Sequence, residues 1–209
     1  MDRRVWIRAL CLAMMISGLT ACATRNTGDD FVNVDRYEAA ADLFIEQAEK
    51  GDLAKMLTLA SMYSSGKIDY RRDYVKAVYW YQKAAALGNV PSMYELGIIY
   101  EYGAGDVAPD TARAVHWYRE GAERGDAYCQ YRLGRVLSED KAADPVDAYQ
   151  WFLVAEASAA QCQDNVKCRI ILDDKFNYKW ELEKRLTDAQ KTQGRERARS
   201  WQAAVAQSR

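Results

Sequence analysis

The chain has 209 residues, 49% of them hydrophobic and 11% aromatic, which is enough apolar material for a sizeable core and excludes a disordered protein. Lys and Arg number 29 against 30 Asp and Glu, so the net charge is -1 and no strong positive field is available to gather nucleic acid. With only three prolines and many Ala, Leu, Glu, Gln and Arg, the chain reads as all-α.

Residues 1–21 have the anatomy of a signal peptide. Arg3, Arg4 and Arg8 precede an uncharged stretch from Ala9 to Leu19. As a helix those apolar residues span only ~16 Å, too short for a ~30 Å hydrocarbon core. "LTAC", Leu19 to Cys22, resembles the lipobox of bacterial lipoproteins, in which the cysteine is lipidated and becomes the new N-terminus. The resemblance implies a lipid anchor on Cys22, such as palmitate with further acyl chains, and stable membrane attachment. No Asp follows the cysteine; Ala23 and Thr24 stand there instead. For a Gram-negative source this implies the outer membrane, facing the periplasm. Residues 22–34 are polar and aperiodic, a tether.

From residue 35 to 160 the pattern repeats. Trp80 to Trp117, Leu59 to Leu96 and Gly88 to Gly125 each span 37 positions, and Leu133 lies another 37 beyond Leu96. Trp151 follows Trp117 by 34, so a third copy has lost three residues between its helices. Such a period marks a solenoid of helical hairpins. The copies run about 52–88, 89–125 and 126–160, after a half-copy at 36–51 that Asp35 and Glu38 start as a capping box.

In each first helix a leucine stands beside a small residue, Ala60, Gly97 or Gly134, with Tyr63, Tyr100 or Leu137 one turn after the leucine on the same face. Glycine inside a helix costs ~1 kcal/mol relative to alanine, so Gly97 and Gly134 mark a close helix approach. Asp73, Asp110 and Asp144 are placed to cap the second helices, with Pro145 at the first helical position. Trp80, Trp117 and Trp151 recur with the period and are assigned to the core. Gly88 and Gly125 suit left-handed helix stops.

The combination Leu-Gly-x-x-Tyr, Gly-x-Gly, Asp-x-x-Lys/Arg-Ala, Trp-Tyr and x-Ala-x-x-Gly-Asp/Asn resembles the SEL-type repeat family, relatives of tetratricopeptide repeats. The resemblance implies a right-handed α-solenoid offering a concave surface to a protein partner, with no catalytic residue to carry over. It also implies work in assembling envelope machinery. Between the core residues of the first helices, Thr58 and Ser61, Glu95 and Ile98, and Arg132 and Arg135 are expected to face that groove and bind the partner.

Residues 161–209 read as capping helices. Ile170, Ile171, Phe176, Tyr178 and Trp180 form an apolar face, and "TDAQ", Thr187 to Gln190, is a capping box ahead of a last helix ending near Gln207. Arg195, Arg197 and Arg199 mark a solvated face.

Chemistry is sparse. The one histidine, His116, sits at a variable second-helix position with Glu120 one turn on, within reach of a weak ion pair. Several converging groups are needed for a metal or catalytic site, so neither a metal, a cofactor nor a small-molecule substrate is expected. Of the cysteines beyond Cys22, Cys129 matches the small position of Ser92 and reads as buried. Cys162 and Cys168 form a disulfide if a turn separates them, with Cys129 as a rival partner for either. The function expected is a non-enzymatic, lipid-anchored periplasmic adaptor. An envelope enzyme acting on peptidoglycan or disulfides, and a structural lipoprotein without a specific partner, are the alternatives.

Overall fold

The computed structural model describes residues 40–68, 71–161, 168–169, 171 and 177–207. The signal peptide, Cys22, the tether, the capping pair Asp35 and Glu38, Cys162, Ile170 and Phe176 lie outside the described residues.

A helix at 40–49 (α1) leads into three hairpins. Their first helices are α2 (Leu53–Ser65), α4 (Val90–Tyr102) and α6 (Ala127–Glu139), and their second helices α3 (Tyr74–Ala86), α5 (Thr111–Glu123) and α7 (Pro145–Ala160). After α7, residues 168, 169 and 171 are helical, and α8 (Tyr178–Arg185) and α9 (Asp188–Gln207) follow. The fold is an all-α solenoid: from α2 to α7 each helix packs on the next, α9 packs on α7, and α8 lies against α6 and α7.

Local chemistry sets the helix ends. The Asp73, Asp110 and Asp144 carboxylates accept the amides of Lys76, Arg113 and Val146, which satisfies amides that have no partner inside their helix. Asp52, Asn89 and Asp126 do the same for the first helices, accepting from Lys55, Ser92 and Cys129. Gly88 and Gly125 adopt φ of +83° and +87°, a conformation that glycine takes without strain. Each Gly-Asn or Gly-Asp pair thus ends one helix and caps the next. In the tail, the Thr187 amide donates to Gln190 Oε1 (2.9 Å) and the Gln190 amide to Thr187 Oγ1 (3.3 Å), the expected reciprocal box.

Between the hairpins lie Leu59, Leu96 and Leu133, all buried, together with Tyr63, Tyr100 and Leu137. Burying a side chain of this size stabilises by ~1.5–3 kcal/mol. The buried residues fall into two clusters, one around α1 to α3 and one around α4 to α9 with Val78 and Ala85 of α3; Tyr81 touches both. Gly97 and Gly134 are close-approach sites: a Cβ at Gly97 would intrude on the Tyr118 ring, and one at Gly134 would stand 3.1 Å from the Ala148 carbonyl oxygen and 3.2 Å from Phe152.

Three packing expectations are corrected. Trp80 and Trp151 are buried, but Trp117 is only half-buried, and Tyr118 takes the inward place. Trp180 is 52% exposed; its helix buries Leu182 instead. Arg197 is not simply solvated, because it pairs with Asp144 at 2.9 Å and ties α9 to the cap of α7. The tail seats on the last hairpin through Gly194 against Tyr149, Ala198, and Trp201 edge-on to Trp151 at 5.7 Å.

Candidate functional site on the first-helix face

The helical period that buries Leu96 and Leu133 turns the residues between them toward the open side of the first helices. Thr58, Ser61 and Glu95 are exposed there, and Ile98 is half-buried. The two arginines behave differently. Arg132 is half-buried and Arg135 is buried, its side chain only 10% exposed, so the expectation that Arg135 lies open in the groove is corrected. A long side chain at that position lies back along the protein surface, where Glu101, one repeat earlier, offers it a carboxylate.

Glu101, itself 9% exposed, is the hub of a cluster. It ion-pairs with Arg135 Nη2, accepts a hydrogen bond from Tyr118 Oη (2.7 Å) and lies 3.7 Å from Arg132 Nη1. The Tyr102 hydroxyl accepts from Arg132 Nη1 (3.0 Å) and from Arg135 Nη2 (3.1 Å). Arg135 Nη1 donates to Glu139 at 3.1 and 3.2 Å. Aromatic rings wall the cations: Arg132 lies 5.5 Å from the Tyr128 ring centre, and Arg135 stands between Tyr102 (6.0 Å) and Tyr178 (5.6 Å). Burial raises the Tyr118 and Tyr94 hydroxyls above the ordinary tyrosine range despite the opposing pull of Arg132. Burial would lower the Arg132 guanidinium, but the surrounding tyrosines, Tyr94 first, outweigh it and hold the proton more firmly.

Sequence reasoning selected Arg132 and Arg135 but missed Glu101, Tyr102 and Glu139. One signal was available: Glu101 and Tyr102 stand where copy one has Ser64 and Ser65, so at these positions copy two carries side chains long enough to reach the next repeat.

His116 is exposed and meets the edge of Trp117 at 4.9 Å, while Glu120 pairs with Arg124 rather than with the imidazole. Among the described residues no group of three or more His, Cys, Asp or Glu is arranged to hold a metal ion. Cys129 is a buried thiol packed against Gly121, not a disulfide member. Cys168 is buried and disulfide-bonded. A cavity of about 560 Å³ lies where α9 meets α6 and α7; Tyr128, Cys168, Trp201 and Val205 help to line it, and its Asp126 is already engaged as the α6 cap.

These features define a helical-repeat solenoid with a side-chain-rich face on its first helices. The Sel1 repeat family matches residues 56–89, 90–126 and 127–157. Among solved structures the chain is similar to a Sel1 repeat protein from Oxalobacter formigenes, at 26% identity and a TM-score of 0.52, over 78% of this chain; it spans 64% of that protein's length. It is also similar to c5321, a protective antigen of uropathogenic Escherichia coli strains displaying an SLR fold, at 23% identity and a TM-score of 0.42, over 79% of this chain and 48% of that one. No curated protein matches. Sel1 repeats are in general scaffolds for protein–protein interaction.

Proposed function

We propose that the chain is a membrane-anchored periplasmic adaptor lipoprotein that holds a protein partner against its first-helix face, in the assembly of cell-envelope machinery. The observation that carries this reading is the cluster of Arg132, Arg135, Glu101 and Tyr102. Beside the apolar contacts between hairpins, charges and aromatic rings from α4, α6 and α8 gather around Arg132 and Arg135. The lipobox-like sequence ending at Cys22 supports the lipid anchor, and the polar, aperiodic composition of residues 23–34 supports reading that stretch as a tether. A disulfide at Cys168, for which Cys162 is the proposed partner, suits an oxidising compartment.

Two experiments test the reading. Crosslinking in the periplasm followed by pull-down should enrich a specific partner and lose it on Glu95→Arg; a set of captured proteins unchanged by that substitution leaves only a structural lipoprotein. Membrane fractionation and mass analysis of Cys22→Ser should show release and loss of lipid processing, and an unchanged distribution and mass would sink the anchor.

A further inference from the structure

We propose that the cavity where α9 meets α6 and α7 binds a neutral sugar ring. The site goes beyond the adaptor reading and does not depend on it, since neither Arg132 nor Arg135 lines it. Its volume of about 560 Å³ falls within the ~300–1,000 Å³ typical of small-molecule pockets. Two aromatic residues wall it, Trp201 from α9 and Tyr128 from α6. Both rings are held by neighbours: Trp201 meets Trp151 at 5.7 Å, and Tyr128 meets Tyr94 at 5.0 Å. Rings fixed in this way lose little freedom when a ligand arrives. The cavity is also lined by neutral hydrogen-bonding side chains, Ser158 and Gln161 at the end of α7 and Gln202 on α9. Among the described residues no hydrogen bond engages these three side chains, so their donors and acceptors face the cavity or water.

Electrostatics narrow the class of ligand. Among the described residues that line the cavity there is no Lys, Arg or His. Its one carboxylate, Asp126, stands at the start of α6 and accepts the Cys129 amide at 2.7 Å. The helix end that could otherwise hold an anion therefore already carries one, and a phosphate or carboxylate ligand would be repelled. A wholly apolar ligand fits no better, because it would cover Ser158, Gln161 and Gln202 without giving them partners. A neutral sugar ring meets both conditions. Its C–H face packs on flat aromatic rings, and its hydroxyls donate to and accept from amide and hydroxyl side chains.

The indole N–H resonances of the isotope-labelled chain, followed during titration with neutral disaccharides (cellobiose, maltose and N,N′-diacetylchitobiose), test this. The Trp201 resonance should shift, while that of Trp180, which is 52% exposed and outside the cavity, stays in place. Affinity for the best of the three should fall about tenfold on Trp201→Ala. It should fall severalfold on Gln161→Ala and on Gln202→Ala. Gln161 is exposed and can be truncated without loosening α9, which keeps the test decisive if Trp201→Ala disturbs the tail. A longer oligomer of the same sugar separates the two sources of such a ring: equal affinity assigns a free sugar or a chain end, and tighter binding assigns a glycan chain. A Trp201 resonance that none of the disaccharides shifts, sugar binding that both Trp201→Ala and Gln161→Ala leave unchanged, or tighter binding of a sugar phosphate or of an uncharged apolar dipeptide would each overturn the inference. The adaptor reading would stand in each of these cases, because its own test turns on Glu95.

Discussion

The Tyr118 ring of α5 fills the space that a side chain on Gly97 of α4 would need. The two positions are set jointly. In copy one the small residue is Ala60, and there Tyr81, the counterpart of Tyr118, is half-buried while Trp80 goes inward. In copy two the methyl is absent, Tyr118 is fully buried and Trp117 moves partly out. In copies one and two the small residue and the inward ring change together, whereas copy three, with Gly134, buries both Trp151 and Phe152.

Gly97→Ala should therefore destabilise, although alanine is the better helix former by ~1 kcal/mol. The expected loss is about 2 kcal/mol, in the range for overpacking a well-filled site. Tyr118→Ala should cost about 3–5 kcal/mol by leaving a cavity. In the Tyr118→Ala background, Gly97→Ala should be neutral or stabilising. Urea denaturation of the four proteins measures the coupling, and additive losses would show that the contact does not set the packing.

The period, the hairpin boundaries and most helix caps were legible in the sequence because they depend on neighbours a few residues apart: Asp73 and Lys76, Thr187 and Gln190, Gly88 and Asn89. The inward place of Tyr118 was not, because it depends on a contact with Gly97 across the hairpin. The burial of Arg135 was also hidden. Its position on the helix wheel is open, and only the reach of its side chain to Glu101, which is 34 residues away, takes it out of water. Trp180 was assigned inward from its type alone, whereas the short helix α8 buries Leu182 and leaves the indole beneath Lys184.

Alkaline stability should report on the buried tyrosines. Burial raises the Tyr118 hydroxyl above its ordinary value, against the lowering effect of Arg132. The folded state therefore keeps a proton that the unfolded chain gives up, so the contribution is fully present below the unfolded value of about 10 and is lost as pH rises above it. The melting temperature should fall through this alkaline window, and Tyr118→Phe should flatten the fall. An equally steep decline in Tyr118→Phe would assign the effect to other groups.

Asp144 serves two elements at once, accepting the Val146 amide at the start of α7 and the Arg197 guanidinium of α9. Asp73 caps α3 and pairs with the nearby Lys76 of the same helix. Replacing either with alanine should cost about 1 kcal/mol as a lost cap. Only Asp144→Ala should also loosen the tail, seen as faster amide hydrogen exchange in α9. Equal exchange in α9 for both variants would mean that the Arg197 pair does not hold the tail.

The seating of α9 on α7 turns on Gly194, where a Cβ would approach the Tyr149 ring to 2.7 Å. Tyr149 cannot easily retreat, since it is buried and its hydroxyl donates to Glu183 of α8 at 2.8 Å. Gly194→Leu should consequently push α9 off the last hairpin, uncovering Trp151, which the Trp201 edge now covers. Exposed end faces are a liability in repeat proteins, because a solenoid needs a cap to keep the next stacking surface from water. The expected result is a red-shifted tryptophan emission, protease cleavage near α9 and a tendency to self-associate, with the far-UV signal of α2 to α6 retained. Should Gly194→Leu keep the native association state and emission, α9 would not be the element that closes the solenoid.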